Sequence, residues 1–213
     1  MMRTMALALV AAGFGLTAAA QESAPPPPPP QAASNEAPSL VTGVCVQCHG
    51  ATGASADPAL YPHLSGQVSD YIVKQLRDFK AGVRNDPVMT SMAYTVATDE
   101  DARAVANWYA GQTVTPSAAT QPDLIERGKK LWRAGDAAKG IPACSGCHGA
   151  SGQGLPAQYP RLSGQLPSYL AQQLQRFRNG ERANDPEGMM RAIAERLTDN
   201  DVKSVSEYAS GLR

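Results

Sequence analysis

The sequence predicts an all-α protein in which one helical unit is written twice. Two observations carry this. From residue 40 onward a set of short motifs recurs in fixed order, 98 to 100 residues later, and the apolar residues between the motifs fall at three- and four-residue spacing. A third observation is negative: no alternating run of β-branched residues calls for a strand.

Taken in order, residues 1–20 read as a cleavable secretory signal peptide. Met1-Met2-Arg3-Thr4 is a short basic start, Met5 to Leu16 is apolar, and Ala18-Ala19-Ala20 supplies small residues for cleavage before Gln21. The rival is an uncleaved anchor, but the apolar run falls short of the roughly 20 residues that span a bilayer. Residues 21–39 hold six consecutive prolines, Pro25 to Pro30, and few large apolar groups, so they read as an extended spacer. Export places the mature chain in the periplasm without an integral membrane span. Unprotected Cys pairs oxidise in such a compartment.

The repeat fills the remainder as two tandem domains, 40–115 and 116–213, with a seam near Thr113 to Thr120. Cys45-Val46-Gln47-Cys48-His49-Gly50 recurs as Cys144-Ser145-Gly146-Cys147-His148-Gly149. Tyr61 to Gln67 (YPHLSGQ) recurs as Tyr159 to Gln165 (YPRLSGQ). A short helix around Ala37 to Val44 precedes the first Cys pair, and one over Pro122 to Trp132 precedes the second. In the next helix Val68, Tyr71, Ile72, Gln75, Leu76 and Phe79 share a face, as do Leu166, Tyr169, Leu170, Leu174 and Phe177. Gly82 and Gly180 suit the left-handed cap that ends these helices. Asn85-Asp86-Pro87 and Asn184-Asp185-Pro186 open two matched loops. Thr98 and Thr198, each followed by acidic residues, start the last helices. Those helices are expected to bury Val105, Trp108 and Tyr109, and Val205, Tyr208 and Leu212.

Composition excludes several functions. Nineteen basic side chains balance nineteen acidic ones, which is not the basic footprint of a nucleic-acid binder. With so little net charge, docking to a partner is expected to use an apolar patch and to respond weakly to salt. The glycines near Gly50 and Gly149 lack the Lys-Ser/Thr ending of a phosphate loop. No catalytic triad or pair of carboxylates competes, and no enzymatic activity is expected.

The chemistry lies in the two C-x-x-C-H motifs. Two thiols three positions apart on a helical turn can bond one edge of a haem, and the adjacent His is carried under the iron. Zinc is a weaker reading, because two Cys and one adjacent His wrap a tetrahedron poorly. A redox disulfide wants a strand–helix context that is missing. Two haem c groups, one per domain, are therefore expected, held by Cys45 and Cys48 and by Cys144 and Cys147. They also supply the apolar volume that a domain of under 100 residues with few aromatics lacks. His49 and His148 are the proximal ligands. His63 faces Arg161 in the repeat, which suits a surface or propionate-facing role rather than ligation.

The methionines after residue 20 all fall in the two matched loops: Met89 and Met92, Met189 and Met190. A thioether on iron raises its potential, so these loops supply the sixth ligands. Met190 precedes Thr198 by eight residues and Met89 precedes Thr98 by nine. One inserted residue in the first loop reconciles Met89 with Met190, with Met92 and Met189 as runners-up.

These residues resemble the dihaem cytochromes c of the cytochrome c4 type, over about residues 38 to 213. The resemblance rests on the paired C-x-x-C-H motifs, YPxLSGQ followed by YxxxQLxxF, the Asn-Asp segment and MTSM in the first loop. It implies two class I cytochrome c domains related by a pseudo-twofold axis, with Met89 and Met190 on the irons. It also implies that the carbonyls of Pro62 and Pro160 accept the Nδ1 protons of His49 and His148. The implied function is periplasmic electron transfer by a monomer, between a cytochrome bc1 complex and a terminal oxidase. The alternative is a cytochrome subunit of a sulfide or alcohol dehydrogenase. A haem enzyme such as a thiosulfate dehydrogenase fits less well, since every iron has a Met and no Cys is spare.

Overall fold

In a computed structural model, residues 36–213 are described. The signal peptide and most of the proline-rich spacer lie outside the described residues. The first half holds a π-helical turn, Val41–Cys45, that runs into α1 (Val46–His49), then α2 (Ser69–Lys80), α3 (Pro87–Ala93) and α4 (Asp99–Ala110). In the second half a 3-10 turn, Pro122–Leu124, leads into α5 (Ile125–Ala134). There follow α6 (Ser145–His148), α7 (Pro167–Arg178), α8 (Met189–Ala194) and α9 (Asp199–Ser210). Among the described residues there is no strand, only isolated bridges. No described helix is long and apolar enough to cross a membrane.

Local chemistry explains the helix ends. Thr98 and Thr198 each accept the N–H of the residue three on, and Asp101 and Asp201 reach back to the cap N–H, which makes two capping boxes. Asp86 caps α3 by accepting from Val88 and Met89, with Pro87 at the first helical position. Gly82 and Gly180 take the left-handed conformation expected after α2 and α7.

Each half has its own apolar cluster. Val41, Ile72, Val73, Val96, Val105 and Tyr109 centre the first. Leu131, Trp132, Ile141, Leu197, Val202 and Val205 belong to the second. Trp108, Tyr208 and Leu212, expected to be buried, are only half-buried at the margins of these clusters. The indole N–H of Trp108 donates to the Ala51 carbonyl at 2.8 Å, beside the first Cys motif. Trp132, from the unrelated position on α5, donates to the matching carbonyl, Ala150, at 3.0 Å. Two different helices thus pin the same loop in the two halves. Tyr208 rests against Trp132, with ring centroids 6.4 Å apart.

The helix crossing in the second half is close. A Cβ on Gly128 of α5 would lie 2.1 Å from the Ser204 carbonyl oxygen on α9. The seam is bound to both halves. Thr115 donates its N–H to Ser65 Oγ at 3.0 Å, and buried Glu207 accepts from the Thr120 hydroxyl at 2.9 Å and the Gln121 side chain at 3.1 Å. Asp201 is buried at the start of α9. Burial raises its carboxyl, but hydrogen bonds from Lys139 at 2.8 Å, the Thr198 N–H at 3.1 Å and Arg127 at 2.7 Å outweigh this and hold it well below the usual carboxylate range.

Two outcomes follow. Gly128→Ala forces α5 and α9 apart and should lower stability by about 1–3 kcal/mol, the usual cost of overpacking. Gly43→Ala, with nothing within 4 Å, should be neutral or stabilising, and paired urea melts compare them. The Asp201 bonds stabilise the fold above the unfolded carboxyl value near ~3.9, and that contribution is lost as pH falls through the lower folded value. Acid unfolding of Asp201→Asn should therefore be flatter in pH than that of the wild type, and the variant less stable at neutral pH.

Candidate metal centres

The two C-x-x-C-H segments adopt the same geometry. Cys45 and Cys144 stand just before α1 and α6, and the second Cys and the His complete each short helix. Gly50 and Gly149 then turn the chain with φ of +72° and +83°. A Cβ on Gly50 would meet the Ala54 carbonyl oxygen at 2.1 Å. That fixes glycine after the His.

The imidazoles are buried and oriented. His49 Nδ1 donates to the Pro62 carbonyl at 3.0 Å, and His148 Nδ1 to the Pro160 carbonyl at 3.0 Å. Tyr61 and Tyr159 stand edge-on to them, each with ring centroids 6.3 Å away. The Nδ1 bond leaves Nε2 as the lone-pair nitrogen, the atom a metal takes. Burial pushes both imidazoles down, against the opposing pull of the proline carbonyls, which favours the neutral form that ligates. The four thiols are free and half-buried. Burial pushes Cys45 up, and Cys144 up to about 11. Among the described residues no three His, Cys, Asp or Glu side chains converge as a metal cluster.

Both motifs open on a mostly apolar cavity of 640 Å³, a volume in the range of cofactor sites, about 300–1,000 Å³. Met89, Met92, Met189 and Met190 all line it. Helix register relates them. Ala93 and Ala194 are fully buried at the ends of α3 and α8, and four residues back from each lie Met89 and Met190. By the same register Met92 matches Ile193, and Met92 is exposed. The extra residue in the first copy is Ala97, after the helix. The second copy compensates before its helix, where Glu187 and Gly188 take left-handed conformations.

Sequence reasoning missed the cavity's shared wall. Arg84 and Arg182 are 7% and 6% exposed, and their backbones pair in an antiparallel bridge. Arg84 donates to Gln75 at 2.8 Å, to Gln173 at 3.0 Å and to the Tyr169 hydroxyl at 3.0 Å. Arg182 donates to Gln173 at 2.9 Å, to Asn184 at 2.9 Å and to the Tyr71 hydroxyl at 2.9 Å. Each guanidinium also lies over a phenylalanine, Phe79 at 4.6 Å and Phe177 at 4.4 Å. Every one of these partners is neutral, and both arginines line the cavity. Two buried cations hydrogen-bonded only to neutral groups are costly; Asp86 acts on Arg84 from a distance, and anionic groups on an occupant of the cavity would offset both. A haem, with two carboxylates on an apolar ring, fits the thiols, imidazoles, thioethers and guanidiniums present. The signal for the pair was in the repeat, where Arg84 and Arg182 stand 98 residues apart, but the inserted Ala183 offsets them from the Asn-Asp-Pro motif.

The repeated Gln of YPxLSGQ also has a structural role that its spacing did not announce. The Gln67 side chain brackets the Arg161 backbone at 3.0 and 2.8 Å, and Gln165 brackets the His63 backbone at 2.9 and 3.0 Å. His63 is accordingly half-buried at this junction, its Nδ1 accepting the Ser55 N–H at 2.9 Å, rather than out on the surface. Arg161 donates to the Gly66 carbonyl at 2.8 Å across the same junction.

Residues 34–110 and 125–212 match the family profile described as Cytochrome c. The chain is 49% identical over 173 residues to a protein named cytochrome c4 from Thiocapsa roseopersicina, covering 80% of this chain and 88% of that one. It is 36% identical to a thiosulfate dehydrogenase electron acceptor from Thiomonas intermedia (strain K12), covering 77% and 76%. Its fold superposes on the crystal structure of reduced recombinant cytochrome c4 from Pseudomonas stutzeri with a TM-score of 0.76 and 38% identity, covering 81% of this chain and 95% of the other.

Proposed function

The chain belongs to the cytochrome c4 family of dihaem cytochromes c, and from that premise we propose that it carries electrons in the periplasm between a cytochrome bc1 complex and a terminal oxidase. The observation that carries the reading is the doubled site: in each half a buried His with its Nδ1 committed to a proline carbonyl, and a Met at matched helical register lining the same cavity. The proposed leader, 1–20, and spacer, 21–39, deliver two domains, 40–115 and 116–213, to that compartment.

When bound, each haem supplies one iron that takes up and gives back a single electron. The chain does the rest. Cys45 and Cys48, and Cys144 and Cys147, tether the rings by thioether bonds. His49 and His148 would present Nε2 to the irons, with orientation fixed by the Pro62 and Pro160 carbonyls. Met89 and Met190 present thioethers, which favour the ferrous state and raise the potential. Arg84 and Arg182, in one wall of the cavity, would offset the carboxylates of the rings.

A second reading has one observation in its favour, the relative named as a thiosulfate dehydrogenase electron acceptor. In that reading this chain accepts electrons from a dehydrogenase rather than from a bc1 complex. Catalysis by the chain itself is disfavoured, since both irons have a methionine within the same cavity and every Cys belongs to a C-x-x-C-H motif.

Intact-mass measurement should find two haems per chain that resist acid-acetone extraction, and an N-terminus at Gln21 in protein released from periplasm. Release of the pigment, or one haem only, contradicts the doubled site. Met190→Ala should abolish the weak red ferric absorption of one haem and lower its potential, and Met89→Ala should do the same for the other. If Met92→Ala has that effect and Met89→Ala does not, the helical register argued for the first loop is wrong.

A further inference from the structure

The two rims of the cavity differ sharply in chemistry although the backbone repeats. In the first half the rim carries Leu60, 68% exposed, with Val88 and Met92 at 50% and 39%, and Tyr94 follows at 63%. At the matching positions the second half has Gln158, half-buried Met189, half-buried Ile193 and Glu195. From Asn85 to Ala97 the first loop has one charged residue, Asp86, whose carboxylate caps α3 and pairs with Arg176 of the second half at 3.4 Å. From Asn184 to Leu197 the second has Asp185, Glu187, Arg191, Glu195 and Arg196. The turn that presents Leu60 adds one more carboxylate, Asp57, whose Oδ1 accepts the Ala59 N–H. No Lys or Arg stands in either rim segment of the first half.

The wider charge follows the same division. Residues 36–115 hold five basic and eight acidic side chains, while residues 116–213 hold thirteen and ten. The balanced total therefore hides a negative half and a positive half. A weak response to salt is not what such a molecule should show, because each end presents its own sign to a partner.

We propose that the first-half rim, Leu60, Val88 and Met92, with the exposed Tyr94 that ends α3, is the docking face for a redox protein whose apolar contact surface is bordered by basic side chains. This rests on the electron-carrier reading above and names the partner chemistry of one of its two ends. Large apolar side chains this exposed mark an interaction surface, and Asp57 together with the net negative charge of residues 36–115 selects the sign of the border. The second-half rim, mixed in charge on a positive domain, is the poorer match for the same partner. Entry and exit of electrons are thereby separated between the two halves.

A basic monohaem cytochrome c serves as the probe. Stopped-flow spectroscopy would follow electron exchange between it and the purified holoprotein across ionic strength. Leu60→Lys and Tyr94→Lys should each slow the bimolecular rate about tenfold at low salt, with the difference shrinking as salt rises. Gln158→Lys, at the equivalent second-half position, should leave the rate within about twofold. Carbodiimide coupling, mapped by mass spectrometry, should join probe lysines to Asp57 rather than to Glu187 or Glu195. Equal slowing by Gln158→Lys, no slowing by either first-half lysine, or coupling at Glu187 and Glu195 would overturn the proposal. So would wild-type protein that sediments as a dimer and becomes monomeric with Leu60→Lys, since the face would then be covered by a second copy. Reduction of every variant by ascorbate and reoxidation by ferricyanide tests the carrier reading separately. If that cycle fails in wild type, the carrier reading fails and not the choice of face.

Discussion

The arrangement of the molecule turns on two positive charges that are almost fully buried. Arg84 and Arg182 meet backbone to backbone where the halves join, each nine-tenths buried and bonded only to neutral amides and hydroxyls. Such a pair repels itself and has lost most of its hydration, so anions brought by an occupant of the cavity would stabilise it. The cavity that both arginines line supplies the place for them. This one constraint ties the halves together and fixes the floor of the cofactor site. It also makes each half's site depend on the other, since Arg84 is oriented by Tyr169 and Gln173, and Arg182 by Tyr71 and Gln75.

Around that shared wall the halves solve the same problems with different residues. The carbonyl after each C-x-x-C-H-Gly is capped by a tryptophan, from α4 in one half and α5 in the other. The second half has the longer N-terminal helix, closely crossed at Gly128, and a buried carboxylate held by Arg127 and Lys139. The first half makes do with a π-helical turn and leaves its apolar rim exposed. The repeated motifs preserve the cofactor geometry, and the residues between them set what each end meets outside.

Those differences explain what could be read in the sequence. Short-range rules were legible: the helix faces, the capping boxes at Thr98 and Thr198, the left-handed glycines and the C-x-x-C-H spacing all depend on residues within a few positions of one another. The pairing of Met89 with Met190 was partly legible, because counting back from Thr98 and Thr198 gave a one-residue mismatch that only the buried Ala93 and Ala194 locate. Contacts between residues about 90 to 110 apart were not legible. Nothing local in Gln67 or Gln165 says that each brackets the backbone of the other half, and nothing in Arg84 says that its partners are Gln173 and Tyr169.

The most direct test of the shared wall is redox titration of Arg84→Gln and Arg182→Gln with both haems resolved. A cation in the wall stabilises the reduced state of any iron it faces, so removing either one should lower both midpoint potentials, with two haems still attached by mass. A fall confined to one haem in each variant, or no change in either, would contradict a wall that serves both sites.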